Sequence, residues 1–115
     1  MSDDPTVVPE VDLETFEEAW RAGATVLDVR NPDEYLGRHV PGAVLVPLSE
    51  LGERIEEVPA GRPLYVICAR GSRSRSAAEA LRVQLGWDVL NVSAGTEGWA
   101  ESGRPVAAGT DPGTA

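Results

Sequence analysis

The sequence predicts an α/β domain with a central, mostly parallel five-stranded sheet that is flanked by helices on both faces. Three observations lead to this fold class. Five short runs rich in apolar and β-branched residues alternate along the chain with segments of helical periodicity. Several runs end in a glycine-containing or polar loop that leads directly into a helix, which is the order of elements in parallel β-α-β units. The length of 115 residues fits one domain with its own core.

In the first half of the chain, three strands and two helices are predicted. Asp12 is a suitable N-cap for the first helix. Asn31 followed by Pro32 has the pattern of an N-cap and a first helical position, and this pattern opens the second helix. The predicted strands occupy residues 6–8, 24–30 and 44–46, and the predicted helices occupy residues 13–22 and 32–36.

The second half continues the alternation. Ser49 is a candidate cap for a short acidic helix, and Thr96 for a short helix that contains Trp99, whose indole is expected to pack on the core. The predicted strands here are residues 64–67 and 87–92, and the other helices are residues 50–57 and 76–85. The domain is expected to span residues 6–106, with residues 1–5 and 107–115 as flexible termini, because these ends are polar or rich in Pro, Gly, Ala and Thr.

Composition and charge exclude several function classes. The net charge is −9 and all ten basic residues are arginine, so binding to nucleic acid is not expected and Schiff-base chemistry on lysine is excluded. One cysteine and one histidine are too few for a cysteine- or histidine-rich metal site. No apolar run is long enough to span a membrane, and the start lacks the pattern of a secretory signal. A cytoplasmic location is therefore predicted, where a lone thiol stays reduced.

The single cysteine, Cys68, lies where a buried strand meets a helix. The apolar run 64–67 precedes it, and a short polar loop with Gly71 follows it. Backbone N–H groups converge in such a loop, and the helix dipole adds partial positive charge, which together lower a thiol pKa. The pattern favours a thiolate nucleophile. The alternative is a buried, inert cysteine beside a solvated basic turn.

Three arginines follow the cysteine within a few residues. Arg70, Arg73 and Arg75 lie at or near the helix N-terminus, where cations oppose the helix dipole. A purely structural first turn is expected to carry Asp or Glu instead. The cluster therefore indicates a local anion site, and neutralising Arg70 or Arg73 is not expected to destabilise the fold.

Other polar residues are expected at the same edge of the sheet, because the carboxyl ends of parallel strands lie together. Asp28 interrupts a buried strand and needs a partner, for which Arg30 or a loop N–H is the candidate. A structural pair is favoured over direct catalysis for these two residues. His39 is interpreted as a hydrogen-bonded structural residue. The loop 93–95 follows the last strand and belongs to the same edge.

Four stretches, in order along the chain, resemble the rhodanese family of sulfurtransferases. They are residues 27–30 with Glu34 and Tyr35, residues 39–43, residues 68–74, and residues 91–95 followed by Trp99. The resemblance implies a single rhodanese-like domain. It also implies that Cys68 accepts a sulfane sulfur and becomes a persulfide, without any other cofactor.

The resemblance assigns further residues to the site. The active-site loop, which would bind the substrate, consists of Ala69, Arg70, Gly71, Ser72, Arg73 and Ser74. Arg70 and Arg73 suit an anionic donor such as thiosulfate, and Ser72 or Ser74 is expected to cap the helix. Supporting positions are Asp28, Arg30, Glu34 and His39. A small thiol or a partner protein is the expected sulfur acceptor.

Two departures from the family pattern and two alternative functions remain. Arg38 stands directly before His39 where the family has glycine, and Ala94 replaces the first of two glycines. A non-catalytic rhodanese-like module that binds or regulates partners is one alternative. A cysteine phosphatase is the other, but its signature needs arginine after five intervening residues, and position 74 is serine.

Overall fold

The computed structural model describes residues 4–113 and contains a five-stranded sheet in which all neighbouring strands are parallel. The strand order is β1-β5-β4-β2-β3, so the strand that precedes the cysteine is central. The strands are β1 (Glu10–Val11), β2 (Thr25–Asp28), β3 (Val44–Leu45), β4 (Leu64–Ile67) and β5 (Val89–Val92). The predicted fold class is confirmed.

Four helices cover the two faces of this sheet. They are α1 (Leu13–Arg21), α2 (Pro32–Gly37), α3 (Ser72–Leu85) and α4 (Gly95–Glu101). Helix α3 packs on one face, while α1, α2 and α4 contribute Phe16, Tyr35 and Trp99 to a separate core on the other. As predicted, Asp12 caps α1, because its Oδ1 accepts a hydrogen bond of 2.8 Å from Thr15 N. In the part of the chain described, no helix is both long and apolar enough to cross a membrane.

Strand β4 distributes its side chains to the two cores with the period of two that a strand imposes. Leu64 and Val66 point to the α3 side, and so does Cys68 just after the strand. Tyr65 and Ile67 point to the side of α1 and α4. The thiol is therefore placed on the α3 face by the same alternation that builds the core.

Two predicted elements at the chain's surface were wrong. The edge strand is Glu10–Val11 rather than residues 6–8, because Asp4 draws residues 4–7 into a turn through its bond to Thr6 N. The acidic helix predicted over 50–57 is replaced by two short 3₁₀ turns, Leu48–Glu50 and Ile55–Glu57. Gly52 lies between the two turns, and a glycine disfavours a continuous helix there.

Helix α3 begins at Ser72, four residues before the predicted start at 76. Its N-cap is Gly71, with φ of 96°, and no side chain caps the helix. The expected capping by Ser72 or Ser74 was therefore wrong. Likewise, Thr96 lies inside α4, whose N-cap is Ala94. In both cases tight backbone contacts, described below, determine where the helix starts.

The segment that follows residue 106 contacts the domain in the structure. Ala107 and His39 exchange backbone hydrogen bonds of 2.8 and 2.9 Å, and Gly42 N donates to Pro112 O at 2.7 Å. The ring of His39 is buried, stacks on Tyr35, and lies within 3.2 Å of the Asp111 and Pro112 carbonyls. The flexibility predicted for the termini stays a prediction, and it includes residues 1–3 and 114–115, which lie outside the described residues.

A buried ion pair fixes the carboxyl end of β2. Asp28 accepts hydrogen bonds from the Nε and Nη2 atoms of Arg30, at 2.9–3.1 Å, and from its backbone N–H at 3.0 Å. Both side chains are almost completely buried, and Arg30 Nη2 also donates to Arg38 O at 2.7 Å. This is the predicted structural pair, and it ties the end of β2 to the turn after α2.

Replacing Arg30 should destabilise the fold strongly, because Asp28 would keep a buried charge without a partner. We expect Arg30→Met to lower the free energy of unfolding by about 3–5 kcal/mol in urea titrations. Arg54→Met is the matched control, since Arg54 pairs with Glu50 and Glu57 at the surface, where water screens the charges. Adding Asp28→Leu to Arg30→Met should recover much of the loss. Equal effects of the two single substitutions would contradict this role.

Candidate active site

The thiol of Cys68 lies at the centre of the sheet's carboxyl edge, at the end of β4. The backbone turns sharply between Cys68 and the start of α3, and Gly71 makes the turn with a left-handed conformation. A Cβ atom at Gly71 would lie 2.4 Å from Ser93 O, which is closer than real contacts allow. Glycine is therefore required here both by the positive φ and by the neighbouring loop.

Hydrogen-bond donors surround the sulfur of Cys68, whose side chain is 1% exposed. Gly71 N donates to Sγ at 3.2 Å, and the Ser74 hydroxyl lies 3.3 Å from it. Burial raises the pKa of the thiol, but bonds from the Ser74 hydroxyl and from backbone N–H groups at positions 74, 71 and 70 outweigh it. The pKa of Cys68 therefore lies below its ordinary value, which favours the thiolate.

The turn from β5 into α4 holds the other side of the Cys68 loop. Thr96 N donates to Cys68 O at 2.8 Å, and Glu97 N donates to Ala69 O at 3.0 Å. Gly95 has φ of 69°, and a Cβ there would lie 2.2 Å from Ala69 O. Ala94, in contrast, has right-handed helical angles that any residue adopts. This explains why alanine fits at position 94 whereas position 95 requires glycine.

The arginines of the loop are paired with carboxylates from other elements. Arg73 makes two hydrogen bonds, of 2.7 and 2.9 Å, to Glu34 at the start of α2. These bonds lower the pKa of Glu34 to about 2. Arg70 pairs with Glu101 of α4 at 2.8 Å, with both side chains largely exposed. Arg73 thus joins α3 to α2, a contact that the sequence did not indicate, and the effect of neutralising Arg73 on stability stays a prediction.

Two more ion pairs surround the loop. Arg38 pairs with Glu97, and Arg75 lies 3.9 Å from Glu10. The substitution of arginine for the family's glycine at position 38 thus supplies a contact to α4. Each of these four arginines has a carboxylate partner, so the rim of the site is not a purely basic patch.

The predicted supporting residues divide into two groups. Asp28 and Arg30 hold the end of β2, and Glu34 binds the side chain of Arg73 in the first turn of α3. His39 packs against Tyr35 and the C-terminal segment. Ala69 and Ser72 contribute backbone to the loop and to the first turn of α3.

The residue that sequence reasoning missed is Asn91, which is fully buried in β5. Its Oδ1 lies 2.5 Å from the Ser74 hydroxyl, and its Nδ2 lies 3.1 Å from Gly71 O. The available signal was a polar residue inside an apolar strand, which is the same signal that identified Asp28. Among residues 4–113, no group of three or more potential ligands is arranged to hold a metal ion.

Comparison with known proteins agrees with this geometry. The family model for the rhodanese-like domain matches residues 12–102. YrkF of Bacillus subtilis, which bears the name of a sulfur carrier protein, is 35% identical over 100 residues, covering 85% of this chain and 54% of its own length. The thiosulfate sulfurtransferase GlpE of Pseudomonas syringae is 36% identical over 77 residues, covering 67% of this chain and 73% of its own.

A solved structure shows the same fold over nearly its full length. The rhodanese-related protein of Thermoplasma volcanium is 33% identical, with a TM-score of 0.75 over 86% of this chain and 97% of that one. The chain spans about half the length of YrkF, so similarity to that protein concerns one part of it. The match over residues 12–102, together with the fold, shows that the chain belongs to the rhodanese-like domain family.

Proposed function

We propose that this domain is a sulfurtransferase that carries a sulfane sulfur as a persulfide on Cys68. The observation that carries the proposal is the environment of the thiol. It is the chain's one thiol, it lies at the end of the central strand, and hydrogen-bond donors from the loop and from Ser74 stabilise its anion. A buried structural cysteine has no need of these donors.

In the first half-reaction, the Cys68 thiolate attacks the outer sulfur of a donor such as thiosulfate. A bond forms between Sγ and that sulfur, the sulfur–sulfur bond of thiosulfate breaks, and sulfite leaves with the bonding electron pair. The product is a persulfide whose negative charge lies on the outer sulfur. Loop N–H groups then hold the new anion, and no separate general base is needed because the exchange reaction starts from the thiolate.

In the second half-reaction, a thiophilic acceptor attacks the outer sulfur. With cyanide, a carbon–sulfur bond forms, the persulfide bond breaks, and its electron pair returns to Sγ as the thiolate while thiocyanate leaves. A small thiol or a partner protein would accept the sulfur in the same way. The names of GlpE and YrkF support this class of reaction. The cytoplasmic location stays a prediction.

Replacing Cys68 should abolish sulfur transfer without unfolding the protein. Incubation with thiosulfate should add the mass of one sulfur atom to the wild-type protein in intact mass spectra, and cyanide should remove it. Cys68→Ser should show neither the adduct nor thiocyanate formation, with a melting temperature near that of the wild type. If the wild-type protein formed no adduct with any persulfide donor, a non-catalytic binding module would replace this proposal.

The two loop arginines should differ in their effects. Arg73→Ala should lower kcat/KM for thiosulfate by on the order of tenfold and should also lower Tm, because it frees α3 from α2. Arg70→Ala should lower kcat/KM with Tm unchanged, because its pair with Glu101 is exposed. Arg75→Ala is the control, because Arg75 lies two residues after Arg73 in α3 and should matter less for kcat/KM. A wild-type Tm for Arg73→Ala would contradict the bridging role.

The Tm penalty of Arg73→Ala should depend on pH. The pKa of Glu34 is lowered from 4.5 to about 2 in the folded protein, so its stabilising contribution is complete above about pH 4.5 and is lost as the pH falls toward 2. The Tm difference between Arg73→Ala and wild type should therefore shrink over that interval. Melts from pH 7 to pH 2.5 test this, and a constant difference would exclude the Glu34 pair as its source.

Phosphatase activity should be absent. Only four residues separate Cys68 from Arg73, and Arg73 is held by Glu34, so the loop is short for a phosphate group and lacks a free guanidinium. We expect turnover of p-nitrophenyl phosphate by the wild-type protein to equal that of Cys68→Ser. Cysteine-dependent turnover above this background would favour the phosphatase alternative.

A further inference from the structure

Asn91 and Ser74 form a buried polar pair directly behind the reactive sulfur. The Ser74 hydroxyl lies 3.3 Å from Cys68 Sγ and 2.5 Å from Asn91 Oδ1. Both side chains are fully buried, so water cannot replace either contact. A serine hydroxyl has one proton to donate, and two acceptors compete for it.

The amide of Asn91 is fixed in its orientation by its other contacts. Its Nδ2 donates to Gly71 O and to Glu10 Oε2, each at 3.1 Å. Turning the amide over would place Oδ1 against both of these acceptors, which is unfavourable. Oδ1 therefore faces Ser74 permanently, as an acceptor that cannot donate.

The charge on Sγ decides which acceptor receives the hydroxyl. When Sγ is a thiolate, it is the stronger acceptor, and the hydroxyl that turns to it leaves Asn91 Oδ1 without a donor. When Sγ is a thiol, its proton points to Ser74 Oγ and the hydroxyl points to Asn91. In a persulfide the negative charge lies on the outer sulfur and Sγ is neutral, so the Ser74 hydroxyl again donates its hydrogen bond to Asn91 Oδ1.

We propose that Asn91 is a positioning residue that withdraws the Ser74 hydrogen bond from Sγ whenever Sγ carries no charge, and so favours the persulfide over the thiolate. The proposal rests on the sulfur transfer proposed above and concerns the equilibrium between its two resting states. Three charged residues border the Ser74–Asn91 pair. Glu10 accepts a hydrogen bond from Asn91 Nδ2, Arg75 lies beside Glu10, and Arg73 precedes Ser74 in α3, where it pairs with Glu34.

A direct consequence is that two measurable quantities change together. Asn91→Leu removes the competing acceptor, so the hydroxyl stays on Sγ and the thiolate is stabilised by about three- to tenfold, the size of one net hydrogen bond. The acid dissociation constant of Cys68, taken from the pH dependence of thiolate absorbance, should rise by this factor. The equilibrium constant for loading from thiosulfate against sulfite, measured at a pH where Cys68 is ionised, should fall by the same factor. A merely structural asparagine predicts no such equality.

The matched control is Asn91→Leu in a protein that lacks the Ser74 hydroxyl. In the Ser74→Ala background, Asn91→Leu should change neither the ionisation midpoint nor the loading equilibrium, because no proton remains to compete for. Ser74→Thr keeps the hydroxyl and should restore the response to Asn91→Leu. Asn91→Val provides a second, smaller replacement if the leucine does not fit.

A measurement on the unmodified core avoids the folding risk. The chain contains two asparagines, Asn31 and Asn91, so an Asn31→Ser variant leaves Asn91 as the one asparagine to be labelled. The side-chain carbonyl carbon of Asn91, Cγ, is labelled with ¹³C. Its NMR chemical shift should decrease as Cys68 ionises, because Oδ1 loses its hydrogen bond, and should return when thiosulfate converts the thiolate to the persulfide. Absence of a shift across the Cys68 titration would overturn the role of Asn91. Absence of any persulfide would instead overturn the proposed function.

Discussion

The close approach of two backbone turns is the constraint on which the site depends. The Cys68–Gly71 loop and the turn that begins α4 lie so near each other that neither Gly71 nor Gly95 has space for a Cβ atom. That proximity permits the hydrogen bonds from Thr96 and Glu97 to the loop carbonyls. With its carbonyls held by α4, the loop directs its N–H groups toward the sulfur. The lowered pKa of Cys68 therefore depends on how β5 and α4 pack beside β4.

Sequence periodicity was sufficient to predict strands β2 to β5, because each is a short apolar run bounded by turn residues, but it misplaced the short edge strand β1. It was also sufficient for the Asp28–Arg30 pair, since a carboxylate inside a buried strand needs a nearby partner. Periodicity failed to predict features that depend on contacts between residues far apart in the sequence. Helix α3 starts at Ser72 because Gly71 is held against Ser93, and no local pattern shows that contact.

The arginine cluster illustrates the same limit for electrostatics. Three arginines at a helix N-terminus indicate an anion site when they are considered alone. Their partners Glu34, Glu101 and Glu10 come from three different elements, and only the fold brings them to the loop. The arginines therefore offset the helix dipole less than the sequence suggests, because each positive charge has a carboxylate beside it. Arg73 and Arg75 connect α3 to α2 and β1, and Arg70 connects the Cys68 loop to α4.

The alternation of β4 also limits how this chain can vary. Leu64, Val66 and Cys68 share one face, while Tyr65 and Ile67 share the other. Inserting or deleting one residue in β4 would exchange these faces, so it would disrupt both cores and turn the thiol away from Ser74. Core packing and thiol placement thus depend on the same register. A one-residue length change in this strand is incompatible with both, whereas a length change at the exposed residues Gly52 and Glu53 leaves that register untouched.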